Sequence, residues 1–92
     1  MQALTDQQTV ALLETVPEWH VEAGELVRMF QFPDFVAAMR FVNHVAELAE
    51  AAGHHPDIDI RYNRVRLALT THDAGGLTSK DFDLAAKADK VI

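Results

Sequence analysis

Residues 50–56 read Glu-Ala-Ala-Gly-His-His-Pro, and His72 and Asp81 follow later in the chain. An imidazole with its ordinary pKa near ~6.5 can give or take a proton at neutral pH. A carboxylate within reach holds such a ring in one tautomer. Glu50 precedes His54 by one helical turn, which brings its carboxylate within reach of that ring. The rival chemistry is metal ligation, since histidines with a carboxylate can hold zinc. Adjacent histidines on an extended chain diverge, however, and no H-E-x-x-H or H-x-H spacing occurs. Proton transfer is therefore the chemistry to expect, with no metal site. The sequence has no cysteine, hence no thiol nucleophile, and no glycine loop of the phosphate-binding kind.

These residues need a scaffold. "TDQQ" at 5–8 is a capping box, predicting a first helix from Thr5 to about Thr15, where Val16-Pro17 stops it. Residues 18–32 suggest two strands around Ala23-Gly24. After Pro33-Asp34, apolar residues at Phe35, Ala38, Val42, Val45, Ala49 and Ala52 mark one face of a second helix. Phe41 and Leu48 widen that face beyond half the girth, which predicts self-association. Gly53 suits the left-handed residue that ends the helix.

Residues 57–71 alternate with period two, with Ile58, Ile60 and Tyr62 on one face and Asp57, Asp59 and Arg61 on the other. With Asn63-Arg64 as the turn, Tyr62 faces Val65, Ile60 faces Leu67, Ile58 faces Leu69 and His55 faces His72. Apolar residues then meet apolar partners, and a one-residue slip breaks the match. His55 and His72 would share the side of the sheet away from the core, with Cβ atoms roughly 5 Å apart. Pro56 is the weak point of that ladder. The bend at Gly75-Gly76 leads to Thr78-x-x-Asp81, a second capping box that opens the last helix. The order αββαββα describes an α+β fold, a four-stranded antiparallel sheet with helices packed on one face, as a single domain over residues 1–92.

Plainer roles compete for each residue. Capping alone would account for Asp81, and Glu50 could simply decorate a polar stripe. His20 and His44 have nothing to recruit them. Trp19 reads as a core or pocket-wall ring. Asp57, Asp59, Arg61 and Arg66 read as cross-strand charge pairs. It is the convergence of His54, His55 and His72, with Glu50 and Asp81 beside them, that argues for a site.

Composition narrows the function classes. Eight basic residues against fourteen acidic ones give a net charge of −6, which opposes binding to nucleic acid or acidic membranes. No run of ~18 apolar residues could span a bilayer, and the N-terminus lacks the regions of a signal peptide. A cytoplasmic location is expected, in keeping with the absence of cysteine.

Glu50-x-x-x-His54-His55-Pro56, followed by Tyr62, His72 and Asp81, resembles the signature of the pterin-4a-carbinolamine dehydratases. The resemblance extends through "GHHPDIDIRYNRVRLALTTHDAGGLTSKDFDLA" and upstream to Trp19 and to Phe35, Ala38 and Phe41. It implies the αββαββα fold and elimination of water from a 4a-hydroxytetrahydropterin, giving the quinonoid dihydropterin in cofactor recycling. It implies His54, His55 and His72 as the essential histidines, with Glu50 and Asp81 as supporting acids. It also places the backbone around His54–Pro56 and around Thr71, His72, Asp73 and Ala74 against the pterin. No cofactor and no metal are implied. The expected partners are a small-molecule pterin and further copies of the chain in a homodimer or homotetramer, with functional coupling to an aromatic amino-acid hydroxylase. Relatives in this family also act as dimerisation cofactors for a transcription factor or resemble assembly chaperones, so a non-catalytic scaffold is the alternative.

Overall fold

The structure is a computed structural model that describes residues 2–92. Its elements are α1 (Asp6–Leu13), β1 (His20–Glu22), β2 (Glu25–Gln31), α2 (Phe35–Ala52), β3 (Asp57–Arg61), β4 (Arg64–Leu69) and α3 (Ser79–Asp89), with a 3₁₀ turn at His72–Ala74. Each boundary has a local cause. The Thr5 hydroxyl accepts from the Gln8 amide at 3.1 Å, and the Gln8 side chain accepts from the Thr5 amide at 2.9 Å, completing the expected capping box. Ala23 and Gly24 turn β1 into β2 with φ of 51° and 78°, the positive angles that a two-residue hairpin needs. The Asp34 carboxylate accepts from the Ala37 amide at 2.9 Å and so starts α2. Gly53 ends α2 with φ of 62°, and the His54 amide donates back to the Ala49 carbonyl at 3.1 Å.

The antiparallel sheet has strand order β1-β2-β4-β3. Leu26 and Phe30 of β2 and Val65, Leu67 and Leu69 of β4 point into one core, with Ile58 of β3 at its edge. Trp19 packs edge-on to Phe30 with ring centroids 5.9 Å apart, while Phe30 and Phe32 lie 4.5 and 5.1 Å from the Phe41 ring. These aromatic contacts set the rotation of α2. Its buried residues are Ala38, Phe41, Val45 and Ala49, so the inward face is turned toward Phe41. Phe35, expected on that face, is 47% exposed.

The second hairpin departs from expectation in register. Tyr62 and Asn63 form the turn, Tyr62 with φ of 53°, and Ile60 pairs with Val65 and Ile58 with Leu67. The shift from the expected pairing is two residues, which leaves every side chain on its own face. Apolar alternation cannot distinguish these registers, because both bring apolar residues together. Asn63 decides between them. Its side-chain amide donates to the Phe32 carbonyl at 2.8 Å, and its own carbonyl accepts from the Phe32 amide at 2.9 Å. The ladder therefore ends at Asp57–Ala68, and the expected cross-strand pairing of His55 with His72 does not form.

Asp89, at the end of α3, ties that helix to the sheet. It accepts from Trp19 Nε1 at 2.9 Å and from Arg28 at 2.7 Å. Arg28 occupies the core side of β2 and lies over the Phe30 ring at 4.3 Å, so its charge is matched rather than merely buried. On the sheet's other face Arg66 pairs with Glu22 at 2.6 Å, and Arg61 with Asp59 of its own strand at 3.3 Å. The cross-strand pairing expected among Asp57, Asp59, Arg61 and Arg66 is corrected: Arg61 pairs within its own strand, and Arg66 reaches across to Glu22 of β1. No helix among the described residues is long and apolar enough to cross a membrane.

Candidate functional site

Three chain segments meet at one end of the sheet: the exit from α2, the tail of β4 with its 3₁₀ turn, and the first turn of α3. Between them lies a cavity of about 280 Å³ lined by Gly53, His54, His55, Thr70, Thr71, His72, Asp73 and Lys80. The three histidines thus share one cavity although the strand pairing expected to unite them is absent. The αL bend at Gly53 delivers His54, and the turn after β4 delivers His72. That turn is held closed where the Thr71 amide donates to the Gly76 carbonyl at 3.2 Å.

His54 and His55 diverge, as adjacent residues on extended backbone must. His54 Nε2 lies 2.5 Å from Asp81 Oδ1, and His55 Nε2 lies 2.5 Å from Glu50 Oε2. The expectation that Glu50 reaches His54 is corrected: the left-handed turn at Gly53 swings His54 inward toward α3 and leaves His55 beside Glu50. The two pairs differ in setting. The His54 side chain is 11% exposed and Asp81 is fully buried, whereas His55 and Glu50 both stand largely in solvent.

Asp81 performs the capping role and the imidazole-holding role with different oxygens. Its Oδ2 accepts from the Thr78 amide and from the Thr71 hydroxyl, each at 2.9 Å, while Oδ1 meets His54. The Thr71 and Thr78 hydroxyls are 2.8 Å apart. A hydroxyl has one proton, so with Thr71 donating to Asp81, Thr78 must donate to Thr71. Thr78 in turn accepts from the Lys80 amide at 3.3 Å. The carboxylate is acceptor-only when ionised, so His54 presents Nε2–H to it and carries its free lone pair on Nδ1. Among the described residues no side-chain nitrogen or oxygen is both buried and without a partner. Nδ1 of His54, which diverges from Asp81, is accordingly not buried, and His54 is among the residues that line the cavity. The site thus offers one largely enclosed, carboxylate-oriented imidazole whose second nitrogen has no protein partner, and two further imidazoles around the same space.

Of the other residues expected against a substrate, Thr71 and Asp73 line the cavity, whereas Pro56 and Ala74 are not among its walls. Lys80, Thr70 and Gly53 line it too and were not anticipated. The capping box contained the clue to Lys80, because it places residue 80 in the first turn of α3 beside Asp81. His20 lies away from the cavity, 3.3 Å from exposed Glu22, and His44 lines a separate apolar groove with Phe32 and Phe41. Hydrogen bonding to His20 and then to Arg66 holds the Glu22 carboxyl below its ordinary pKa. Among the described residues no group of His, Asp and Glu side chains is arranged to hold a metal ion.

Comparison with known proteins addresses ancestry. Residues 2–91 match the family model described as pterin 4 alpha carbinolamine dehydratase. A protein of Acidobacterium capsulatum, provisionally named a pterin-4-alpha-carbinolamine dehydratase, is 61% identical over 92 residues, with all of both chains covered. One from Chloroflexus aurantiacus with the same provisional name is also 61% identical, covering all of this chain and 99% of its own. The crystal structure of a transcriptional coactivator/pterin dehydratase from Brucella melitensis superposes with a TM-score of 0.93 at 33% identity, covering 98% of each chain. A pterin dehydratase-like protein described as a RuBisCO assembly factor in the alpha-carboxysome shares the fold, with a TM-score of 0.65 at 23% identity over 79% of this chain and 84% of its own. By its family match and by relatives aligned along its whole length, the chain belongs to the pterin-4a-carbinolamine dehydratase family.

Proposed function

We propose that this protein is a hydro-lyase that removes water from a 4a-hydroxytetrahydropterin and yields the quinonoid dihydropterin. It acts as a single cytoplasmic domain in the recycling of a hydroxylase cofactor. The observation that carries the reading is the pairing of His54 with buried Asp81, His54 lining a cavity shared with His55 and His72.

The elimination breaks the bond from C4a to its hydroxyl oxygen and forms C4a=N5. The N5 lone pair drives out the oxygen, an acid supplies the proton that makes it water, and a base takes the N5 proton. Protons and electrons balance without oxidant or reductant. His54 serves as base through Nδ1: Asp81 holds Nε2–H and stabilises the imidazolium as it forms. His72, on the strand-exit wall, protonates the departing hydroxyl. His55, paired with Glu50 at the rim, binds the heterocycle. Assembly into dimers or tetramers accompanies this reading, with exposed Phe35 and Val36 at the start of α2 as apolar surface for it.

The test is stopped-flow absorbance of synthetic 4a-hydroxytetrahydropterin decay, with and without protein. His72→Ala is expected to lower turnover by about 10²–10⁴-fold with little change in substrate affinity. Loss of affinity at unchanged turnover would reverse the roles of His72 and His55. A scaffold role is the second reading, favoured by the description of the Brucella melitensis relative as a transcriptional coactivator as well as a pterin dehydratase. It predicts a stoichiometric protein partner and no acceleration of the decay.

A further inference from the structure

The chain has two capping boxes, and they are not alike. In the first, Thr5 and Gln8 bond to one another in solvent, and among the described residues no third side chain joins them. In the second, Thr78 and Asp81 are buried and a further hydroxyl is added. That of Thr71 lies 2.8 Å from the Thr78 hydroxyl and donates to Asp81 Oδ2 at 2.9 Å. Starting α3 does not require it. The Thr78 hydroxyl already accepts from the Lys80 amide, and Asp81 Oδ2 from the Thr78 amide. Thr71 is itself buried, where a hydroxyl costs free energy unless it is bonded and valine would fill the same volume without that cost. The hydroxyl points to a use beyond the cap.

Thr71 stands between the segments that carry His54 and His72. It immediately precedes His72, and its backbone is locked: the amide donates to the Gly76 carbonyl at 3.2 Å, while the carbonyl accepts from the Ala74 amide at 3.0 Å and the Gly76 amide at 3.4 Å. A β-branched side chain on fixed backbone has few rotamers, so the hydroxyl is aimed. Its target, Asp81, holds His54 through the other oxygen. The run from the Lys80 amide through Thr78 and Thr71 to Asp81 has a single direction, because an amide only donates and an ionised carboxylate only accepts. Between the backbone of His72 and the ring of His54 the link is thus one hydroxyl and one carboxylate.

We propose that Thr71 is a positioning residue for the elimination: its hydroxyl, bonded to Asp81, fixes the spacing of His54 from His72 and so of base from acid. The proposal rests on the dehydratase reading and adds the group that keeps the two proton-transfer residues in register. Thr71 acts through Asp81 on one side and through the backbone of His72 on the other.

Thr71→Val keeps the shape and removes the hydroxyl, and Thr71→Ser keeps the hydroxyl. In stopped-flow decay of 4a-hydroxytetrahydropterin, Thr71→Val is expected to lower kcat by about tenfold to hundredfold with KM little changed, the scale of a misplacement of up to about 1 Å. Thr71→Ser should recover most of that loss. Spacing between acid and base matters only when both are present, so in a His54→Ala or a His72→Ala background Thr71→Val should cause almost no further loss. A Thr71 that only stabilised the fold would lower the urea midpoint and leave kcat of the folded enzyme where it was. An unchanged kcat in folded Thr71→Val, no recovery in Thr71→Ser, or an undiminished loss in both histidine backgrounds would overturn the proposal and leave the dehydratase standing. Crystal structures of the wild type and both variants give a second readout: the separation of the His54 and His72 rings should change in Thr71→Val and return in Thr71→Ser, and an unchanged separation refutes the proposal. Should the wild type turn over no 4a-hydroxytetrahydropterin, the dehydratase reading fails, and this separation alone decides whether Thr71 sets the spacing. Should Thr71→Val not fold, Thr71→Cys, a weaker donor, replaces it in both measurements.

Discussion

Asp81→Asn isolates the electrostatic part of the site while keeping its volume. The carboxylate accepts two hydrogen bonds on Oδ2, from Thr71 and the Thr78 amide, and one on Oδ1, from His54. Asparagine supplies one oxygen. The Thr78 amide can only donate, so that oxygen is drawn to the Oδ2 position and the NH₂ group faces His54. His54 must then accept at Nε2 and carry its proton on Nδ1, which removes the basic nitrogen from the cavity. General acid–base catalysis is typically worth ~10²–10⁴-fold, so kcat should fall by about that factor with KM little changed. Stability falls less steeply. Hydrogen bonds to a charged group contribute about 1.5–3 kcal/mol and neutral ones about 0.5–1.5, so the loss should be about 1–3 kcal/mol. Stopped-flow turnover with urea unfolding measures both. The decisive comparison is Asp81→Asn in a His54→Ala background, where it should have almost no further effect on kcat. A wild-type rate in Asp81→Asn, or a full additional loss in the double variant, would refute the argument that Asp81 acts through His54.

Phe41→Ala should cost about 3–5 kcal/mol by chemical unfolding, because Phe41 is 2% exposed and touches the rings of both Phe30 and Phe32. Tyr62→Gly should raise stability by about 0.5–1 kcal/mol in thermal unfolding, since Tyr62 is 67% exposed and sits at φ of 53°, where only glycine is unstrained. Glu22 has a folded-state pKa below its unfolded value. Its stabilising contribution is therefore present above the unfolded pKa and lost as pH falls through the folded one. Glu22→Gln should remove that part of the acid-side slope, read from urea midpoints at neutral and acidic pH.

The one-dimensional order of the chain already determined much of this protein. Both capping boxes, the Ala23-Gly24 turn, the end of α2 at Gly53 and the αββαββα order rest on contacts between near neighbours or on side-chain periodicity, and all were legible. The divergence of His54 from His55 follows from extended backbone alone. Other features depend on segments distant in sequence. The second hairpin has two registers of equal apolar merit, and the bonds between Asn63 and Phe32 chose the one that periodicity could not. The inward face of α2 was turned by aromatic contacts with Phe30 and Phe32, which expelled Phe35. Most consequentially, Glu50 is one helical turn from His54 yet holds His55, because the bend at Gly53 carries His54 to a carboxylate on α3. Local spacing tells which groups could meet; only the packing of α3 against α2 decides which of them do.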